Sequence, residues 1–158
     1  MSQLPPTTTT APAPAAKEQI KECFNCWTKS WNQGDLNGYL TGYFDSSHTR
    51  YVSGKKVTIG KQNIRDLLKS RGGPKGILKV VSLDVGVMND CNDAICFGQY
   101  ELKLPSSKSD NDTKNSDINT SDCYEIHTGC FTVHVRKLQV EGDENDNANW
   151  KIISDHST

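Results

Sequence analysis

No long apolar run occurs in this 158-residue chain. Hydrophobic residues make up 34% of it, and no stretch approaches the roughly 20 apolar residues that a bilayer-spanning helix needs. An excess of either charge is also missing. With 18 Lys and Arg against 19 Asp and Glu, the formal net charge is -1 and no basic block stands out. Such a chain has little long-range field to attract nucleic acid or an acidic membrane surface, and neither partner is expected. The first residues carry neither the basic start nor the apolar segment of a signal peptide, so the expected compartment is the cytoplasm. No glycine loop follows a strand to cradle phosphate, because Gly72-Gly73-Pro74-Lys75-Gly76 ends a helical pattern. A nucleophile elbow, a metal-ligand cluster and a flavin motif are likewise lacking, and no cofactor or metal is expected.

What is present suits one domain with a single core. Met1 to Ala16 is rich in Pro, Thr and Ala and reads as a disordered tail, which leaves 17–158 as the domain. Six cysteines are few for a disulfide scaffold of this length, and reduced thiols are the expectation. Cys23-Phe24-Asn25-Cys26 has redox or zinc spacing, but it lies inside a helical pattern and has no second pair to complete a metal site. Asn111-Asp112-Thr113 and Asn119-Thr120-Ser121 match glycosylation acceptors in a chain with no export signal, and read as loop composition.

Ile20, Cys23, Phe24, Trp27 and Trp31 recur at helical spacing, which predicts a helix from about Lys17 to Gln33 stopped by Gly34. Asp35 then suits the cap of a short second helix with Leu36, Tyr39, Leu40 and Tyr43 on one face. Short strands are expected at 50–53 and 57–59 around a Gly54 turn. A third helix carrying Ile64, Leu67 and Leu68 follows and stops at Gly72-Gly73-Pro74. Beyond it the period changes. Long β-branched runs at 77–88 and 94–104, with Asn89 to Asp93 as the turn, predict antiparallel pairing. The polar stretch at about 105–122 cannot offset its own ordering entropy and reads as a disordered loop. Strands resume at about 123–138 and from Asn149 to the end, separated by acidic, Asn-rich residues.

Trp31-Asn32-Gln33-Gly34-Asp35-Leu36-Asn37-Gly38-Tyr39-Leu40, Tyr43, Arg50-Tyr51-Val52-Ser53-Gly54, Gly129-Cys130-Phe131-Thr132 and the closing Trp150-Lys151-Ile152-Ile153-Ser154-Asp155-His156-Ser157 carry a family resemblance. The chain resembles the SnoaL-like, nuclear transport factor 2-like superfamily. It is most similar to small domains of unknown function that end in an Asp-His-Thr-Ser-like sequence, and to the association domain of calcium/calmodulin-dependent kinase II. The resemblance implies an α+β fold, a cone in which a curved antiparallel sheet wraps about three N-terminal helices around a pocket, and a homodimer formed across the outer sheet face. It covers ketosteroid isomerases, polyketide cyclases, dehydratases and epoxide hydrolases as well as non-catalytic assembly modules, so function has to be argued from the site.

Trp27, Trp31, Tyr39, Tyr43, Tyr51 and Tyr100 are the candidate pocket-lining residues, since amphipathic rings can wall a cavity while their polar ends seek partners. The same rings at helical spacing also suit plain core. Asp155 and His156 are the candidate catalytic acid or base, because burial among aromatics shifts such groups toward the working pH. Neighbours on a strand face opposite ways, so only one of the two points inward. Trp150 and Ile152 place His156 on their face, Ile153 places Asp155 on its own, and a bulge would change either count. Tyr51 and Tyr100 are candidate donors to a developing oxyanion. Thr132, His134 and Arg136 share a face opposite Phe131, Val133 and Val135, which assigns them to the outer sheet and a dimer interface. In an inverted sheet Arg136 would instead anchor an anion in the cavity.

Two functions follow. One is a small cofactor-free enzyme binding a hydrophobic small molecule, an isomerase, cyclase or hydrolase that moves a proton. The other is a non-catalytic dimerisation or assembly module, to which the lack of paired carboxylates points.

Overall fold

The computed structural model describes residues 13–88, 92–106, 124–138 and 150–158. The first helix, α1 (Ala13–Asn32), starts four residues before the expected Lys17. Pro14 lies in its first turn, where a missing N–H costs nothing, and Ala15 and Ala16 are strong helix formers. Ala16 is buried, so the last residue assigned to the tail belongs to the core. The rest of that tail, 1–12, lies outside the described residues. Ile20, Cys23, Phe24 and Trp27 form the buried stripe of α1. Gly34 closes the helix at φ +73°, with the Gly34 and Asp35 amides donating to the carbonyls of Trp31 and Ser30.

Asp35 caps α2 (Leu36–Leu40), its Oδ1 accepting from the Gly38 amide at 2.8 Å. Strands β1 (Arg50–Ser53) and β2 (Lys56–Ile59) pair antiparallel, and α3 (Lys61–Ser70) buries Ile64 and Leu68. Four more strands follow: β3 (Ile77–Val87), β4 (Asp93–Pro105), β5 (Tyr124–Lys137) and β6 (Trp150–Ser157). The six form one sheet in the order β2-β1-β6-β5-β4-β3. Every pairing is antiparallel except β1 with β6, which is parallel and joins two segments far apart in the chain. The expected hairpin turn at 89–93 falls largely outside the described residues, as do the polar loop beyond Ser106 and both glycosylation-like triplets.

The inner sheet face presents Val85, Ala94, Cys96, Phe131, Val133, Val135, Trp150 and Ile152 to the helices, all buried. Burying each large member contributes about 1.5–3 kcal/mol. Trp150, only 1% exposed, satisfies its indole N–H at Gln19 Oε1, 3.2 Å away. Two bulges interrupt the alternation, one at Val81 in β3 and one at Ile153 in β6. The first moves the inward set from Leu78 and Val80 to Leu83, Val85 and Val87. Among the described residues, no helix is long and apolar enough to cross a membrane.

Candidate functional site

Trp27 and Trp31 project from α1, Tyr39 from α2, Tyr51 from β1 and Tyr100 from β4 toward a common space between the helices and the inner sheet face. Leu68, Leu78, Val80, Leu102, Phe131 and Ile152 complete an apolar wall around a cavity of about 170 Å³. The rings hold one another in place. Trp31 meets Tyr39 edge-on with centroids 5.1 Å apart, and Phe24 packs between Trp27 and Phe131 at 5.1 and 5.6 Å. The Trp31 indole N–H donates to the Lys75 carbonyl at 3.3 Å, which ties α1 to the loop after α3.

Among the described residues, one carboxylate, that of Asp155, opens into this cavity. Ser154 pairs with His134 and Ile152 with Val135, so Ile153 is the extra residue of a bulge. Counting across it, Ile152 and Asp155 both face inward. Asp155 is 5% exposed, whereas His156 is exposed on the outer face opposite Thr132. Inward placement of His156, counted from Trp150 and Ile152, is therefore corrected by the bulge.

Tyr43, expected among the lining residues, stands behind the wall instead. It is 1% exposed, and its hydroxyl donates to Asp155 Oδ2 at 2.5 Å. The segment carrying it runs against β6: Ile152 donates to the Gly42 carbonyl and accepts from the Phe44 amide. Gly42 is required there, since a Cβ would stand 2.7 Å from the Trp27 indole. Tyr39 extends the chain of hydroxyls, its oxygen 3.4 Å from that of Tyr43. On the other carboxylate oxygen, Ser157 Oγ donates to Oδ1 at 2.8 Å. Sequence reasoning passed over Ser157, although its place two residues beyond Asp155 on the same strand face was the available signal. Tyr100 donates to the Thr158 carbonyl at 3.3 Å.

Burial raises the Asp155 pKa above the ordinary carboxylate value, against the opposing pull of the Tyr43 and Ser157 hydrogen bonds and of His156. Burial first, and then the Asp155 charge, push the Tyr39, Tyr43, Tyr51 and Tyr100 phenols upward, so all four remain protonated at neutral pH. A carboxyl raised toward neutrality and wired to neutral phenols can accept or return a proton.

Thr132 and Arg136 are exposed and His134 is half-buried on the outer sheet face, opposite buried Phe131, Val133 and Val135. Asp93 Oδ1 lies 2.7 Å from His134 Nε2 and accepts from Arg136 Nε at 2.9 Å. Arg136 is thus on the far side of the sheet from the cavity. In the Cys23/Cys26 pair, Cys23 is buried and Cys26 exposed. Burial holds the Cys23 thiol up at about 11 and the Cys96 thiol at about 12, which leaves both protonated and unreactive. Among the described residues, no group of three His, Cys, Asp or Glu side chains is arranged to hold a metal ion.

No family model matches the sequence, and no curated protein matches it. Solved structures do match its fold. An NTF2-like protein of unknown function from Shewanella oneidensis aligns over 89% of this chain and 97% of its own, at 22% identity and a TM-score of 0.65. A calcium/calmodulin-dependent protein kinase II association-domain-like protein from Xanthomonas campestris aligns over 98% and 96%, at 15% identity and 0.63. A scytalone dehydratase-like protein from Novosphingobium aromaticivorans aligns over 91% and 83%, at 9% identity and 0.66. The chain has the NTF2-like fold, an α+β cone.

Proposed function

We propose that this protein binds one small, largely apolar molecule in the cavity and moves a proton on it, with Asp155 as the acid–base group. The observation that carries the reading is a buried carboxylate facing an aromatic cavity while Tyr43 and Ser157 hold both of its oxygens. Tyr51, on the cavity wall with its phenol neutral, offers a hydrogen bond to the polar group of the substrate, whereas the Tyr100 O–H is already given to the Thr158 carbonyl. Size limits the substrate. An apolar cavity of about 150 Å³ accommodates benzene, so about 170 Å³ suits a single ring with a short substituent. A fused polycyclic substrate requires the walls to move.

The test is a screen of single-ring compounds, read by quenching of Trp27 and Trp31 fluorescence and by turnover. Binding together with turnover that disappears in a folded Asp155→Asn variant supports the reading. Absence of any ligand, or turnover unchanged in that variant, defeats it.

A second reading, homodimeric assembly through the outer sheet face, has its own support. On that face Phe97, paired with Thr132, is 51% exposed, and Ile126, farther along β5, is 61% exposed. The fold itself is neutral between the two readings, since it is shared by a dehydratase-like and an association-domain-like protein. They are also compatible, because the cavity and the outer face lie on opposite sides of the sheet.

A further inference from the structure

Among the described residues, those lining the cavity include aromatic rings on α1, α2, β1, β4 and β5, one carboxylate, and no Lys, Arg or His. Taking the ligand pocket proposed above as the starting point, we infer that the polar group it selects is a protonated amine, held by Asp155 inside a cage of Trp27, Trp31, Tyr39, Tyr51, Tyr100 and Phe131. The argument starts from charge. An anionic ligand would bring a second negative charge beside Asp155 with no cation on the lining to compensate, and the apolar walls would strengthen the repulsion.

A cation meets the opposite situation. Aromatic rings attract an ammonium group through their quadrupoles, and the attraction grows when water is excluded. Asp155 supplies the full countercharge that such a buried cation needs. Its geometry leaves room for the contact. A carboxylate offers about four lone-pair directions, of which Tyr43 and Ser157 occupy one on each oxygen. Those same two donors favour the ionised form that an ammonium partner requires, against the burial that raises the Asp155 pKa, and an ammonium group in the cavity would supply the countercharge that burial withholds.

Among the described residues, the groups that face Asp155 across the site add no cation to it. They are Tyr39 from α2, Tyr43 from the segment after it, Tyr51 from β1 and Tyr100 from β4. His156 acts on Asp155 from the other face of the sheet. Arg71 acts on Tyr51 while its guanidinium reaches the Ser53 hydroxyl at 3.5 Å, outside the lining.

Three probes of nearly equal shape, phenethylamine, phenethyl alcohol and phenylacetate, test the inference by calorimetric titration of the full chain. The amine is expected to bind about tenfold or more tightly than the alcohol, and phenylacetate not at all. Asp155→Asn should remove the amine's advantage over the alcohol. Should that variant fail to fold, the unaltered protein carries the test. Amine affinity then rises as pH climbs from the ordinary carboxylate value through the raised Asp155 pKa while the amine stays charged, and alcohol affinity does not rise with it. Equal binding of amine and alcohol, or amine affinity that does not climb with pH, overturns the amine assignment and leaves the pocket standing. Failure of all three probes to bind overturns the pocket reading and the amine with it.

Discussion

Replacing Tyr43 by Phe removes one hydroxyl from a position that is 1% exposed and keeps the ring that packs there. That hydroxyl donates to Asp155 Oδ2 at 2.5 Å. A hydrogen bond to an ionised partner contributes about 1.5–3 kcal/mol, and one between neutral groups about 0.5–1.5 kcal/mol. The change therefore costs the ionised carboxylate about 1 kcal/mol more than the protonated one. Because one pKa unit corresponds to about 1.36 kcal/mol, Asp155 should rise by roughly a further unit. Its native pKa already lies above the ordinary carboxylate value, so the folded protein binds a proton that the unfolded chain has released. Stability accordingly falls as pH climbs from that ordinary value through the raised one. In Tyr43→Phe the fall extends to higher pH. Urea unfolding between about pH 4 and about pH 9 should show the variant losing about 1 kcal/mol more at the alkaline end than at the acidic end. Carbon NMR of the Asp155 carboxyl should show the higher midpoint directly. An equal loss across the range, or a lowered midpoint, would refute the assigned role of Tyr43.

Gly42→Ala places a Cβ 2.7 Å from the Trp27 indole and should cost about 1–3 kcal/mol in urea unfolding, with Trp27 fluorescence altered in the folded state. Asp35→Ala removes the acceptor for the Gly38 amide and should destabilise the protein by about 1 kcal/mol, read as a lowered midpoint at constant denaturant slope. Phe97→Glu puts a charge on the outer sheet face, half-exposed in a single chain, and should leave unfolding nearly unchanged while shifting any dimer to monomer in sedimentation velocity. An unchanged sedimentation coefficient in a dimeric preparation would remove that face from the interface.

The aromatic content of the site was legible in the sequence because helix and strand periods are local. Ile20, Cys23, Phe24 and Trp27 needed only a period of 3.6 to be placed on one face of α1, and Phe131, Val133 and Val135 only a period of 2 in β5. Gly34 and Asp35 announced the corner between α1 and α2 through turn and cap chemistry confined to a few residues. The start of α1 was less visible, since a proline in a first turn looks the same as a proline in a tail.

Local pattern thus determined the helices, the strands and their order, the turn between α1 and α2, and which residue types could surround a cavity. The tertiary structure decided which of two adjacent ionisable residues became the inward one. Alternation along β6 is reset at Ile153, and that extra residue exists only because Ser154 and Ile152 take successive partners on β5. The parallel pairing that sets Tyr51 beside Asp155, and the segment that brings the Tyr43 hydroxyl to it, likewise join residues about a hundred positions apart. A period of two is a property of a strand by itself, whereas a bulge and a buried hydrogen bond are properties of the strands and side chains packed against it.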